Sequence, residues 1–323
     1  MRKSAGLQSA SVVEGVRGGD PRAIARAISA LENREPGADR IVQELFPYTG
    51  KAVLIGLTGA PGTGKSSLAN CLARHYRQQG KRVGVLAVDP TSPFTGGALL
   101  GDRIRMQQHA TDQGIYIRSM ATRGMLGGLA RATADAALVL DAAGKDLIFV
   151  ETVGVGQDEV EIMRLADVTV LLLVAGYGDD VQNFKAGVME IADIFVLNKA
   201  DRGDTDRLEN ELKVVLGLGQ RPDHWRPPIV KTVATDGAGV PELAAALEDY
   251  RAHLERVGLR EEKSTQRWQQ RLVDLIRERA VERVVKAGIG KEQLADYARQ
   301  VARRERDPYT VVEELLRAAG IEE

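Results

Sequence analysis

The sequence predicts an α/β protein built on a mainly parallel, doubly wound sheet. From Val53 onward, short apolar runs of strand length alternate with amphipathic stretches of helical length, the signature of successive βαβ units. A glycine-rich turn, Gly59-Ala60-Pro61-Gly62-Thr63-Gly64-Lys65-Ser66, follows the first run directly and opens the next helical stretch. A polar tetrapeptide, Asn198-Lys199-Ala200-Asp201, closes a later apolar run.

Taken in order, residues from about 8 to 47 read as short helices. Val12, Val13 and Val16 share one helical face, and Ile24, Ala27, Ile28 and Leu31 share another. Asp20-Pro21 is a start signal for the second helix, an N-cap acceptor followed by a proline in the first turn. Buried strands are expected at Val53 to Leu57, Val83 to Val88, Ile115 to Arg118, Leu147 to Val150, Val168 to Val174, Ile194 to Leu197 and Ile229 to Val233. Helices are expected between most of them, among them Ser66 to Gln79, Gly128 to Ala143 and Val240 to Val257. After Gly258 the chain is strongly charged and helical, with Trp268, Leu272, Leu275, Ile276, Val281, Val284 and Val285 as apolar contacts and a break at Gly288-Ile289-Gly290. The expected organisation is therefore a helical segment (1–47), a nucleotide-binding domain (48–258) and a helical arm (259–323).

The 323 residues carry 44 Lys plus Arg against 45 Asp plus Glu, a net charge of -1, with 44% hydrophobic residues. That length buries a sizeable core in one large domain or two modest ones. The charge balance gives no electrostatic case for nucleic acid or an anionic membrane as partner. A single cysteine, Cys71, rules out an intramolecular disulfide and points to the cytoplasm. The N-terminus shows no secretory pattern, and no stretch approaches the apolar length of a membrane span.

The turn at 59–66 fits the P-loop pattern in the setting the mechanism requires. Its glycines turn backbone N–H groups onto phosphates, the helix N-terminus adds its dipole, Lys65 reaches the β/γ oxygens, and the Ser66 hydroxyl ligates Mg²⁺. At Asn198-Lys199-Ala200-Asp201, a fixed, buried carboxylate at Asp201 accepts from both the ring N–H and the exocyclic amine of guanine, a donor pair that adenine lacks. ATP is then rejected, because an unpaired buried acceptor is costly. The loop Val233-Ala234-Thr235 lies where guanine-binding proteins place a Ser-Ala-type backbone donor, with valine in place of serine.

Asp89 ends a strand at the carboxyl edge, and Asp102 follows a loop of small residues; either can hold Mg²⁺ directly or through water, and each also fits an N-cap or turn. Glu151-Thr-Val-Gly154 stands where many GTPases carry Asp-x-x-Gly, the acid on the metal-bound water and the glycine N–H on the γ-phosphate. Val155 follows that glycine, so a water-positioning glutamine is missing and unassisted hydrolysis should be slow. The loop containing Asp179, Gln182 and Lys185 reads equally as a mobile switch or as a solvated surface loop. Cys71 and His75 share a helical face, which suits packing, or less naturally a metal, since two ligands do not complete a transition-metal site.

Together, Gly59 through Ser67, Val88-Asp89-Pro-Thr-Ser-Pro, Gly96 through Met106, Glu151 through Gln157 and Met189 through Asp201 closely resemble the MeaB/ArgK family. These are the G-protein chaperones of adenosylcobalamin-dependent acyl-CoA mutases, including the human protein linked to methylmalonic aciduria type A. The resemblance runs from about residue 20 through Asp307-Pro-Tyr-Thr310. It implies a SIMIBI-type G domain whose phosphate-binding turn extends to Ser67, a Mg²⁺ site from Ser66, Asp89, Asp102 and Glu151, and guanine contacts from Asn198, Lys199 and Asp201. It also implies a third switch loop with Asp179, Gln182 and Lys185 that answers the mutase and moves toward the nucleotide, and a homodimer formed through C-terminal helices. GTP hydrolysis would time delivery of intact cofactor, block inactive cobalamin and help remove damaged cofactor. The departures are Val233 and the pair Asp180-Val181 in the third switch.

Two other function classes compete with that reading. A nickel-insertion GTPase would need Cys/His ligands near the P-loop or a terminus, which the sequence lacks. A kinase or ATPase of a basic amino-acid transport system conflicts with Asp201. Methylmalonyl-, isobutyryl-, 2-hydroxyisobutyryl- and ethylmalonyl-CoA mutases all remain open as the client.

Overall fold

The computed structural model describes residues 9–89, 112–121, 128–152, 163–176, 192–218, 221, 223–286 and 291–320. They divide into two compact units, residues 1–260 and 261–323. The first unit is organised by seven strands: β1 (Val53–Gly59), β2 (Val83–Asp89), β3 (Ile115–Ala121), β4 (Leu147–Glu151), β5 (Val168–Leu173), β6 (Ile194–Asn198) and β7 (Ile229–Thr232). Their order is β3-β2-β4-β1-β5-β6-β7, and every pairing is parallel. The expected doubly wound α/β sheet is the observed one.

Why these runs make a parallel sheet is visible in their burial. Every residue of β4, β5 and β6 is buried, which requires a cover on both faces, and helical crossovers supply it. Successive side chains of β4 separate accordingly. Leu147 and Phe149 join a core with α4 (Lys65–Gln78) and α7 (Val240–Arg256). Ile148 and Val150 join a core on the opposite face with α5 (Gly128–Ala142) and the N-terminal helices α1 (Ser9–Arg17), α2 (Pro21–Glu32) and α3 (Ala38–Leu45). Leu171, Leu173, Phe195 and Leu197 of β5 and β6 pack against α6 (Thr205–Leu218).

The N-terminal helices are fixed by capping and by ion pairs. Asp20 caps α2 as its sequence announces, its carboxylate accepting from the N–H groups of Arg22 at 3.0 Å and Ala23 at 3.3 Å, with Pro21 opening the helix. Arg118 of β3 pairs with Glu32 of α2, and Arg131 of α5 reaches Asp39 of α3 at 2.8 Å. At the amino edge of the sheet, the Asp141 carboxylate at the end of α5 accepts from the N–H groups of Gly50, Lys51 and Ala52, fixing where β1 begins.

The strand order places the site. The chain leaves β1 for β2 on one side of the sheet and leaves β5 for β6 on the other, so the winding reverses between the adjacent strands β1 and β5. Ligands of open parallel sheets bind outside the carboxyl ends at such a reversal. Both the turn after β1 and the tetrapeptide at the end of β6 open onto that edge.

In the second unit, α8 (Arg260–Lys286), α9 (Lys291–Ala302) and α10 (Pro308–Ala318) follow one another. Asp307 caps α10, accepting from the Thr310 N–H at 2.9 Å and hydroxyl at 2.5 Å, and these bonds to the ionised form hold its carboxyl below the usual range. The break expected at 288–290 lies outside the described residues. Trp268, Leu272 and Ile276, spaced four apart on α8, are 40%, 55% and 66% exposed.

Candidate functional site

β1 ends in a turn whose backbone only glycine fits. Gly59 has φ 142°, and a Cβ there would lie 2.3 Å from the carbonyl oxygen of Leu172 on the neighbouring β5. Gly64 has φ 95°, and a Cβ there would lie 2.4 Å from Nδ2 of Asn198. The loop also braces itself, the Thr63 N–H and hydroxyl both donating to the Ala60 carbonyl at 3.2 and 2.8 Å. Lys65, the first residue of α4, is buried and folds back so that its ammonium donates to the carbonyls of Gly59 at 2.7 Å and Ala60 at 3.0 Å. A positive charge thus sits inside a concave loop at the positive end of a helix, the electrostatics of a phosphate site.

Ser67, expected at the far end of the phosphate-binding turn, is the third residue of α4 and is half-buried. The bond that opens the helix runs from the Leu68 N–H to the Gly64 carbonyl at 2.9 Å, so the Ser66 and Ser67 N–H groups come ahead of it, in the turn whose donors a helix leaves for a cap or a ligand. The geometry therefore assigns to Ser67 a backbone position at the mouth of the turn.

Ser66 and Glu151 meet. The Glu151 backbone lies beside Leu57 and Ala87, and its buried carboxylate accepts a hydrogen bond from the Ser66 hydroxyl. A hydroxyl and a carboxylate converging at the head of α4 are hard oxygen donors of the kind Mg²⁺ takes, so the residues present fit that ion. Asp89 ends β2 two residues beyond Ala87, at the same carboxyl edge. The side chain of Asp89, and all of Asp102, Gly154, Asp179, Gln182 and Lys185, lie outside the described residues.

Asn198 and Lys199 bind protein. Asn198, 2% exposed at the end of β6, donates through Nδ2 to the Thr63 carbonyl at 2.7 Å. Its Oδ1 accepts from the Thr232 hydroxyl at 3.0 Å and the Ala234 N–H at 3.2 Å. Lys199 adopts a left-handed backbone (φ 57°), uncommon for a residue with a Cβ, and its ammonium donates to the Gly62 carbonyl at 2.7 Å. The two side chains therefore tie the end of β6 to both halves of the glycine-rich turn, while Asn198 also holds the 233–235 loop. Thr232 belongs to this clamp without having been singled out in the sequence; a hydroxyl at the end of a short strand is its only signal.

Two expectations are revised by this geometry. The Asp201 carboxylate, expected to be buried, is exposed, because it stands in the turn three residues beyond the strand rather than on it. The Ala234 N–H, in the loop expected to offer a backbone donor to guanine, is directed to Asn198. Cys71 and His75 take separate partners: the Cys71 thiol donates to the Ala234 carbonyl at 3.0 Å, and the Gln79 amide contacts the His75 ring at 2.9 Å. Burial raises the Cys71 pKa, which suits a thiol held as a donor. Among the described residues no three His, Cys, Asp or Glu side chains gather as a metal cluster, and no helix is long and apolar enough to cross a membrane.

The chain is similar to several known proteins. The family model described as methylmalonyl-CoA mutase-associated GTPase MeaB matches residues 24–289. A Pyrococcus abyssi protein carrying a GTPase name is 50% identical over 309 residues, covering 95% of each chain. The mouse mitochondrial methylmalonic aciduria type A homolog is 36% identical over 272 residues, covering 82% of this chain and 65% of its own. A crystal structure described as a LAO/AO transport system kinase superposes with a TM-score of 0.70 at 27% identity, covering 95% of this chain and 96% of its own.

Proposed function

The chain belongs to the MeaB family of methylmalonyl-CoA mutase-associated GTPases and is a GTP hydrolase, and from that premise we propose that it gates adenosylcobalamin on a B12-dependent acyl-CoA mutase. The observation that carries the guanine-specific part is the Asn198–Lys199 clamp, which couples the base side of the site to the glycine-rich turn. The client part rests on the family's description as mutase-associated.

In this reading the N–H groups from Gly59 through Ser67 cradle the phosphates and Lys65 exchanges its loop carbonyls for β/γ oxygens. Ser66 and Glu151, joined by Asp89 and Asp102, hold Mg²⁺. Bound there, Mg²⁺ would supply positive charge to offset the charge that develops on the phosphate oxygens. Gly154 senses the γ-phosphate. Asp201 reads the guanine edge, with Val233, Ala234 and Thr235 closing the other side of the base. Desolvation of the exposed Asp201 carboxylate is then supplied by the base itself stacking into place.

Val155 leaves the nucleophilic water without a positioning amide, so hydrolysis alone is slow, and Gln182 and Lys185 supply the missing groups when the mutase engages their loop. We propose residues 1–47, 48–258 and 259–323 as helical segment, GTP-binding domain and dimerisation arm. The exposed stripe of Trp268, Leu272 and Ile276 supports the last of these, as the apolar seam of a homodimer. The lone cysteine fits a cytoplasmic setting.

The test is GTP turnover by the full chain, alone and with each of a panel of apo acyl-CoA mutases. One mutase is expected to raise turnover at least about a hundredfold, the scale of one well-placed catalytic group, with Gln182→Ala or Lys185→Ala abolishing the increase. If GTP is hydrolysed but no mutase changes the rate or forms a complex, the client reading fails and the GTPase reading stands.

A further inference from the structure

The loop after β7 forms a single helical turn. The Val233 carbonyl accepts from the N–H groups of Asp236 at 3.3 Å and Gly237 at 3.0 Å, which closes the turn around Ala234 and Thr235. The Val233 N–H is taken by the Ala238 carbonyl at 3.0 Å, and the Ala234 N–H by Asn198 Oδ1 at 3.2 Å. Thr235 is exposed, and its N–H has no partner among the described residues. In a helical turn the N–H groups lie on one side and the carbonyls on the other. The Thr235 N–H therefore lies on the side from which Ala234 reaches Asn198, the carboxyl end of β6.

What fixes that direction is the oxygen of the same peptide. The Ala234 carbonyl accepts from the Cys71 thiol of α4 at 3.0 Å. The peptide between Ala234 and Thr235 is trans, so an oxygen held by α4 turns the N–H the opposite way. Burial raises the pKa of the half-buried Cys71, so the thiol keeps the proton it donates. Since α4 is also the helix opened by the glycine-rich turn, this bond ties the base loop to the phosphate-binding element by a route separate from Asn198. Guanine and hypoxanthine carry a carbonyl oxygen at ring position 6, where adenine carries an amine. A fixed N–H facing that position attracts the first two bases and repels the third.

We propose that Cys71 is a positioning residue for base selection: its thiol, acting through the Ala234 carbonyl, aims the Thr235 N–H at the 6-oxo group of the base. The inference rests on the reading of 198–201 and 233–235 as the two sides of the guanine site. It adds a second specificity element to Asp201, which reads the ring N–H and the exocyclic amine.

The test is the affinity of the full chain for GTP, inosine triphosphate, ATP and inorganic tripolyphosphate, measured by displacement of a fluorescent guanine nucleotide. Inosine triphosphate keeps the 6-oxo group; ATP and tripolyphosphate lack it. Cys71→Ala is expected to weaken GTP and inosine triphosphate by the same factor, about tenfold, the scale of one hydrogen bond, and to leave ATP and tripolyphosphate unweakened. Cys71→Ser keeps a donor for the same carbonyl and is expected to bind GTP within about threefold of the parent. A general loosening of α4 or of the glycine-rich turn would weaken every ligand alike. The inference is overturned if Cys71→Ala leaves the preference for GTP over ATP unchanged, if every ligand weakens together, or if the serine variant binds GTP no better than the alanine variant. A parent that binds ATP as tightly as GTP would overturn the guanine reading itself, and the inference with it.

Discussion

Asn198→Ala is the perturbation that most directly probes the clamp. The side chain is 2% exposed and makes three bonds, to the Thr63 carbonyl, the Thr232 hydroxyl and the Ala234 N–H. Each bond contributes about 1 kcal/mol net, and stranding buried backbone groups adds to that, so a loss of about 3 to 5 kcal/mol follows. For a unit of this size the corresponding fall in Tm is about 6 to 15 °C. Nucleotide affinity should fall about tenfold or more, because the Thr63 carbonyl loses the bond that orients the glycine-rich turn. Asn198→Asp separates loop anchoring from packing: it keeps the acceptor for Thr232 and Ala234 but turns an anionic oxygen toward the Thr63 carbonyl, so it should bind nucleotide at least as poorly as alanine. Thermal melts and titration with a fluorescent guanine nucleotide give both quantities. A Tm within about 2 °C of the parent, less than one lost hydrogen bond would cause, together with unchanged nucleotide affinity would show that the clamp does not hold the loop.

Three further outcomes are expected. Burial, with Arg82 and Arg77 nearby, pushes the Lys145 ammonium down to about 8, so the fold carries a penalty for the charged form below pH 8 that is relieved as pH rises toward the unfolded value near 10.5. Lys145→Met should therefore gain up to about 3 kcal/mol over the parent at about pH 7, with the gap narrowing in urea melts at about pH 9.5, and a gap that does not change with pH would refute the argument. Arg221 bonds the buried carboxylates of Asp193 at 2.7 Å and Asp223 at 3.1 Å, so Arg221→Ala leaves two uncompensated charges and should cost about 3 to 5 kcal/mol by chemical denaturation. Asp201→Asn should weaken GTP about a hundredfold and admit xanthosine triphosphate, whose 2-oxo group accepts from the new amide; equilibrium titration of both nucleotides checks this.

Much of the fold is legible in the sequence because its central strands are buried on both faces, whereas the edge strands β3 and β7, expected to be buried as well, are half-buried or exposed over most of their length. Val168 to Val174 has no polar residue except Thr169, and only a two-sided core tolerates such a run at strand length. Asp20-Pro21 marks a helix start because capping is local chemistry. Strand order is not legible, since the pairing of β1 with both β4 and β5 joins residues far apart in the chain. The site shows the same division. The glycine-rich turn and the tetrapeptide are visible as residue types, but the left-handed backbone at Lys199 that swings its ammonium to Gly62 is not. Nor is the exposure of Asp201, which depends on where β6 ends, or the Cys71 thiol bonded to Ala234.

The central claim, that hydrolysis of GTP gates cofactor loading, is tested most directly by the rate at which adenosylcobalamin loads onto the client apo-mutase in the presence of the full chain. With GTP, loading should proceed at a rate that tracks phosphate release; with a non-hydrolysable GTP analogue, or with Lys65→Ala, it should no longer follow the nucleotide supplied. A loading rate that is the same with GTP, GDP, the analogue or no added chain would contradict the account.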